Sequence, residues 1–269
     1  IGNKKATQYL FDSIKSDELS HAYLFVGPLS VGKTTVAREV ARRLFCEKDA
    51  AIDCDCQNCR KVRSGIHPDL HFLSGTNSGI DDVRKITSQL SMRPYQSKYR
   101  IAIISHAQDL TISALNSFLK TLEEPKDNTI IILTTENKSN LLETIVSRTR
   151  QVNFGVVSDK EIFEYLNQEV GVKKNQAVKL TSLATGRVGI ALSEYSAGLD
   201  VDKQFSLAEN FLRVYRSKDM SDKFVLASKL AGDKDNLAQN LSNIASVARL
   251  SLLKSVEGNN LQEIFEGLS

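Results

Sequence analysis

As far as Phe154 the chain alternates short, nearly continuous apolar runs with longer amphipathic stretches, and then it changes character. Residues 22–26, 70–73, 101–104 and 129–133 are apolar and rich in β-forming side chains. Around them apolar positions recur at helical spacing: Thr35, Val36, Val40 and Leu44 after the first run, Val83, Ile86 and Leu90 before the third, and Leu115, Phe118, Leu119 and Leu122 before the fourth. Strands that are apolar on both faces, separated by helices, predict a parallel sheet sandwiched between helical layers. From Ser158 onward only helical periodicity remains, marked by Ile162, Tyr165 and Leu166, by Ala177, Leu180, Leu183 and Ala184, and by residues 205–212, 224–230 and 241–253. Gly171, Gly186 and Gly198 predict helix stops. Three parts are expected: an α/β domain over residues 1–154, a small helical domain over 155–200, and a last helical bundle over 201–269.

Composition narrows the function classes. With 41% hydrophobic and 25% charged residues in 269, the chain has an ordinary globular balance and ample length for a core. No apolar run approaches the roughly 18 residues of a membrane span, and the opening IGNKKATQYL holds no signal-peptide core. A cytoplasmic protein without membrane partners is expected, and Ile1 in place of Met suggests that a few residues are missing ahead of it. The net charge of +3 is too small to be a nucleic-acid footprint by itself.

Candidate chemistry lies first in Gly27, Pro28, Leu29, Ser30, Val31, Gly32, Lys33 and Thr34, which match G-x-x-x-x-G-K-[ST] directly after an apolar run and directly before a helix that continues with Thr35. Glycines let such a loop wrap a phosphate so that backbone N–H groups and the helix N-terminus point at it. Lys33 would reach the β/γ-phosphates and the Thr34 hydroxyl would ligate Mg²⁺, so a nucleotide is the expected ligand. Hydrolysis also needs an acid at the end of a second strand. Residues 101–104 are followed by Ser105 and His106, with Asp109 a helical turn further on. Residues 129–133 are followed by Thr134 and Thr135 before Glu136, and Asp69 precedes its run. Nucleotide binding is therefore expected and efficient hydrolysis is not. An imidazole at His106 could position a water, although a passive role is the simpler reading.

All four cysteines, Cys46, Cys54, Cys56 and Cys59, fall in one short window. That is unlike a disulfide framework and suits a tetrahedral Zn²⁺ site closed to substrate. The single residue between Cys54 and Cys56 is a tight spacing, and His67 is an alternative ligand.

The segment from His21 to Pro28, the cysteine cluster, His67-Pro68-Asp69, the stretch from Asn116 through Leu122-Glu123-Glu124-Pro125, and Ser147-Arg148 together resemble the bacterial clamp-loader ATPase family, the AAA+ subunits of the DNA polymerase III holoenzyme. The likeness is specific to about residue 155, loose to about 200, and beyond that only a matter of being helical. It implies an AAA+ P-loop domain with an inserted zinc module at 46–59, a helical lid, and a helical collar domain for oligomerisation. It implies that the cysteines hold structural zinc, in a loop that is shorter here and has C-x-C where the family has C-x2-C. Thr135 matches the position that senses the γ-phosphate. Arg148, in Ser147-Arg148-Thr149 where the family has Ser-Arg-Cys, matches the arginine finger that enters the neighbouring subunit's ATP site.

Two departures bear on the type of subunit. Ser105 and His106 replace the acidic pair of the gamma/tau motors, and Gly189 stands where the motors carry a second sensor arginine, with Arg187 two residues out of register. This pattern resembles the delta-prime, or stator, branch of the family. The resemblance implies gamma/tau and delta subunits as partners in a hetero-pentamer, together with a sliding clamp and primed DNA. The alternatives are a catalytic gamma/tau-type ATPase and a stand-alone zinc-containing nucleic-acid binder. Arg84, Lys85, Arg93, Lys98 and Arg100 are candidates for DNA phosphates, with a solvated surface as the competing explanation.

Overall fold

In the computed structural model, the described residues are 1–48, 50–198, 201–216 and 220–232, with 241, 244, 245 and 248. They divide into two compact units, residues 3–155 and residues 1–2 with 156 onward.

The larger unit is a five-stranded, all-parallel sheet in the order β2-β3-β4-β1-β5. Its strands are β1 (Ala22–Val26), β2 (Leu70–Ser74), β3 (Arg100–Ser105), β4 (Thr129–Thr135) and β5 (Arg150–Asn153). The three central strands are buried on both faces, as their unbroken apolar character predicts. Alternate residues serve two cores. Leu24, Ala102, Ile104, Ile131 and Leu133 face α4 (Ile80–Leu90), α5 (Ile112–Glu123) and α6 (Glu143–Val146). Tyr23, Phe25, Ile101, Ile103, Ile130 and Ile132 face α1 (Lys4–Lys15) and α2 (Lys33–Phe45), with Val62 of α3 (Gln57–Arg63).

Two elements of this unit carry too little apolar signal to be read from the sequence. β5 is the strand Arg-Gln-Val-Asn, and only Val152 is buried in it. An edge strand with one inward residue has no alternation to detect, and its pairing with β1 defines it. α1 buries only Ala6, Leu10 and Ser13, one narrow stripe on a mostly polar helix.

Asp69 is fully buried, and its carboxylate accepts the backbone N–H groups of Tyr95 (2.6 Å), Gln96 (2.9 Å) and Ser97 (3.1 Å). Burial pushes its pKa up, but these three donors and the nearby Arg100 outweigh it and hold the carboxyl below its usual value. Arg100 is itself buried, donating to the carbonyls of Gln89 and Arg93 and lying 3.4 Å from Asp69. It fastens the loop between α4 and β3, which removes it from the candidates for DNA contact. Lys98 is paired with Asp17 at 2.9 Å.

In the smaller unit, α7 (Asp159–Glu164) runs into a π-helical turn (Tyr165–Glu169) and is followed by α8 (Lys174–Ala184), α9 (Val188–Ser196), α10 (Val201–Arg216) and α11 (Met220–Gly232). Ser158 caps α7, accepting from the Glu161 N–H while its hydroxyl donates to the Glu161 carboxylate. The core comprises Val157, Ile162, Leu166, Leu180, Leu183, Val188 and their neighbours. Gly171, Gly186 and Gly198 all have positive φ and follow helical segments, as expected of stops. Gly186 has a second reason to be glycine: a Cβ there would lie 2.7 Å from Cβ of Val156. Gly189 in the first turn of α9 weakens an already short helix and hides it from a reading of periodicity. Most of the helix expected over 241–253 lies outside the described residues. Among the described residues no helix is long and apolar enough to cross a membrane.

Candidate nucleotide and metal sites

The loop after β1 has the geometry its glycines demand. The Gly27 N–H donates to the carbonyl of Thr135 at 3.2 Å, joining the start of the loop to the end of β4. A Cβ on Gly27 would collide with the backbone carbonyl of Phe154. Gly32 has a φ of 97° with open space around it, so the left-handed backbone and not crowding requires glycine there. Ser30 is also left-handed, at 60°. Pro28, Leu29 and Ser30 form an exposed lip, while Val31 is tucked into the core. Asn3 braces the loop from outside: its amide nitrogen lies 3.4 Å from the Val31 carbonyl and 3.2 Å from that of Gly155, and its oxygen accepts the Gly155 N–H at 2.7 Å.

α2 begins at Lys33 with no side-chain cap and no acid in its first turn. Its first N–H groups and its dipole are therefore available to an anion. The Lys33 ammonium is buried and donates to the carbonyls of Gly27 (2.5 Å) and Pro28 (2.6 Å). Burial lowers its pKa, and the charge of Glu136 opposes that shift. Thr34 is half-buried and Thr35 exposed in the same turn.

β4 runs on through Thr135, two residues beyond the apolar run, which makes Glu136 the first residue after a strand. Counted from the apolar run alone, Glu136 stands three residues away. Its carboxylate is the acid felt by Lys33 and also receives a hydrogen bond from Gln108 at 3.3 Å. Thr135 is buried, and its hydroxyl donates to the Asn137 carbonyl at 3.1 Å. At the end of β3, Ser105 is buried with its hydroxyl 3.4 Å from the Leu73 carbonyl. His106 takes a left-handed turn (φ 53°), and its N–H donates to the Thr134 hydroxyl oxygen at 3.3 Å. Its Nδ1 is buried without a hydrogen-bond partner among the described residues.

Arg148 stands at the other end of the sheet. In the parallel pairing of β1 with β5, Arg150 lies opposite Tyr23, whereas the loop begins beyond Val26. At about 3.3 Å per residue that is roughly 10 Å of strand, and Arg148 is two residues further back. Its guanidinium is over a third exposed and is held by Glu123 at 2.8 Å and by the Thr144 carbonyl at 2.9 Å. In the smaller unit, Arg187 precedes α9 and donates to the Thr185 hydroxyl at 3.2 Å.

The four cysteines converge. Their sulfur atoms all lie within 4.8 Å of one another, with Cys46 and Cys54 at 3.5 Å and Cys46 and Cys56 at 4.0 Å. Tetrahedral zinc with ~2.3 Å Zn–S bonds needs sulfurs about 3.8 Å apart, so the donor set fits. Cys46 ends α2, Cys56 precedes α3, and Cys59 lies in the first turn of α3. Backbone N–H groups of Glu47 and Cys59 pull the Cys56 thiol down to about 6, while burial pushes Cys59 up to about 12. His67 is not a ligand. It stacks on Phe45 at 4.1 Å, its Nδ1 accepts the Asp69 N–H, and its Nε2 lies 3.1 Å from Gln96.

A family model described as DNA polymerase III, delta subunit, matches residues 2–158, more than half of the chain. The chain belongs to that family. Among the relatives of this DNA polymerase III family member, subunit delta' of Bacillus subtilis is 37% identical over 168 residues, which are 61% of this chain and 51% of that protein. Subunit tau of the same organism is 30% identical over 223 residues, 80% of this chain and 38% of that protein. The chain thus spans about half or less of the length of these two relatives. The Thermotoga maritima RuvB Holliday junction branch migration motor superposes with a TM-score of 0.51 at 16% identity, covering 98% of this chain and 84% of that one. That likeness shows a shared fold alone. The clamp-loader resemblance read from the sequence motifs is a resemblance to this same family.

Proposed function

We propose that this chain is the stator-type, or delta-prime, subunit of a DNA polymerase III clamp loader. It would bind ATP or ADP with Mg²⁺ through Gly27 to Thr35 and Thr135, hydrolyse it little, and lend Arg148 to the ATP site of an adjacent gamma/tau subunit. The observation that carries this reading is the placement of Arg148. A guanidinium at the opposite end of the sheet from its own loop cannot serve its own nucleotide, while its exposure suits a neighbour's, where it would neutralise developing phosphoryl charge. The ends of β3 and β4 agree: Ser105 and His106 offer no carboxylate for the magnesium shell, and Glu136 accepts a hydrogen bond from Gln108. Bound nucleotide then acts as a structural ligand that stabilises the fold by mass action. Cys46, Cys54, Cys56 and Cys59 would hold a structural Zn²⁺ that takes no part in the chemistry. The partners in this reading are gamma/tau, delta, the sliding clamp and primed DNA.

A second reading, a catalytic gamma/tau-type ATPase, draws on Glu136, a carboxylate directly after β4 and close enough to act on Lys33. Steady-state ATP hydrolysis decides between them. The stator reading expects no turnover by the purified chain and Arg148-dependent turnover once gamma/tau and delta are added. Robust turnover by the chain alone, abolished by Glu136→Gln, would replace it with the second.

A further inference from the structure

α2 joins two sites that the sequence presents separately. It carries Lys33, Thr34 and Thr35 in its first turn and Cys46 at its end. One turn before that end, Arg42 is buried to 3% exposure, unusual for an arginine that could reach solvent. Its guanidinium is locked in plane by a two-pronged contact with Glu39, Nε to Oε2 and Nη2 to Oε1, both at 2.7 Å. Nη2 also donates to the Ala50 carbonyl at 3.1 Å. That fork leaves Nη1 aimed at the Cys59 sulfur, 3.2 Å away. Glu39 is held in turn by Arg43 at 2.8 Å, so the group Arg42–Glu39–Arg43 carries a net positive charge. Cys59 is the most deeply buried of the four thiols, with no exposed surface.

A divalent ion with four thiolates carries a formal charge of about −2, and burying that charge is costly unless a cation offsets it. We infer that Arg42 is the positioning residue of the four-cysteine centre: it offsets the charge of the thiolate-bound metal and fixes the direction of the Cys59 sulfur, anchoring the metal module on the P-loop helix. This rests on the reading that the cysteines hold zinc. The case for it is geometric. The guanidinium fork fits one orientation only, and a lysine ammonium could not hold Glu39 with two prongs and reach Cys59 as well. Groups that orient metal ligands from behind typically change metal affinity by about 10–100-fold when removed.

The test is competition for Zn²⁺ against a chromophoric chelator, using the full chain, with Co²⁺ substitution to read the thiolate-to-metal charge-transfer band. Arg42→Met is expected to weaken Zn²⁺ binding about 10–100-fold and to shift the cobalt band, and Arg42→Lys to weaken it less. In a Cys59→His background one ligand is neutral and the centre carries about one negative charge less, so adding Arg42→Met is expected to weaken binding by a smaller factor than in the parent chain. If Arg42→Met fails to fold, Glu39→Gln, which loosens the fork without removing the cation, is expected to give a smaller loss of the same kind. Wild-type affinity and an unshifted cobalt band in Arg42→Met would overturn the assignment. So would an equal loss in the Cys59→His background, which would mark Arg42 as packing alone. Failure of the unaltered chain to bind Zn²⁺ would instead overturn the metal reading beneath it.

Discussion

Arg148 and Glu123 form an ion pair of 2.8 Å across the end of α5. Both side chains are over a third exposed, and such pairs contribute at most about 1 kcal/mol. The contact can therefore hold the guanidinium in place without committing it, and a docking neighbour could draw it away at small cost.

Arg148→Ala is expected to reduce ATP hydrolysis by the reconstituted loader by at least about tenfold, since arginine fingers supplied in trans contribute ~10³–10⁵ in kcat. The chain's own affinity for ADP, measured by calorimetry, should not change. Glu123→Gln, which frees Arg148, should leave turnover intact or raise it slightly. Unaltered turnover in Arg148→Ala would remove the role assigned to that residue.

Lys33→Met should lower ADP affinity by about 10–100-fold, the value of one or two charge-assisted hydrogen bonds to phosphate. Glu136 now opposes the burial that depresses the Lys33 pKa. Glu136→Gln removes that support, so Lys33 should lose its proton at lower pH than in the parent chain. The alkaline limb of ADP binding should then move to lower pH, which a calorimetric pH series would detect.

Asp69→Asn puts an amide where a buried carboxylate meets three backbone N–H groups, and should cost about 2–4 kcal/mol of stability. The folded pKa of Asp69 lies below its ordinary value. Its contribution is therefore complete above the unfolded value of about 3.9 and disappears as pH falls through the lower folded value. Thermal melts from pH 7 down to pH 3 should show the gap between parent and variant narrowing below about pH 4.

Metal analysis should find one Zn²⁺ per chain. Its removal by chelation should lower Tm by roughly 8–16 °C, given about 4 kcal/mol of linkage at a thousandfold excess over Kd and about 2–4 °C per kcal/mol for a chain of this size. A melting curve insensitive to chelator would count against a structural metal.

What could be read in the sequence was whatever is written in local spacing. The apolar runs of β1, β3 and β4 marked strands buried on both faces, because a sheet sandwiched by helices leaves no polar position along its central strands. The loop from Gly27 to Thr34 and the cysteine cluster stood out as candidate sites because each motif is written in a short stretch of chain. β5, with one buried side chain, did not, and neither did α1, with one narrow stripe.

Long-range placement was decided only in three dimensions. Arg100 reads as a surface cation, yet it is buried beside Asp69, a pairing that joins residues far apart in the chain. Glu136 looked remote until β4 ran two residues past its apolar run and put the carboxylate within electrostatic reach of Lys33. Arg42 lies on the helix after the P-loop, and only the fold of the following loop brings the Cys59 sulfur to it. Local spacing was enough to give the class of sheet and to locate the two candidate sites, since periodicity and contiguous motifs are properties of neighbouring residues. The tertiary structure alone decided which end of the sheet each group occupies and which charges are buried in pairs, because parallel register and burial depend on contacts that no local window contains.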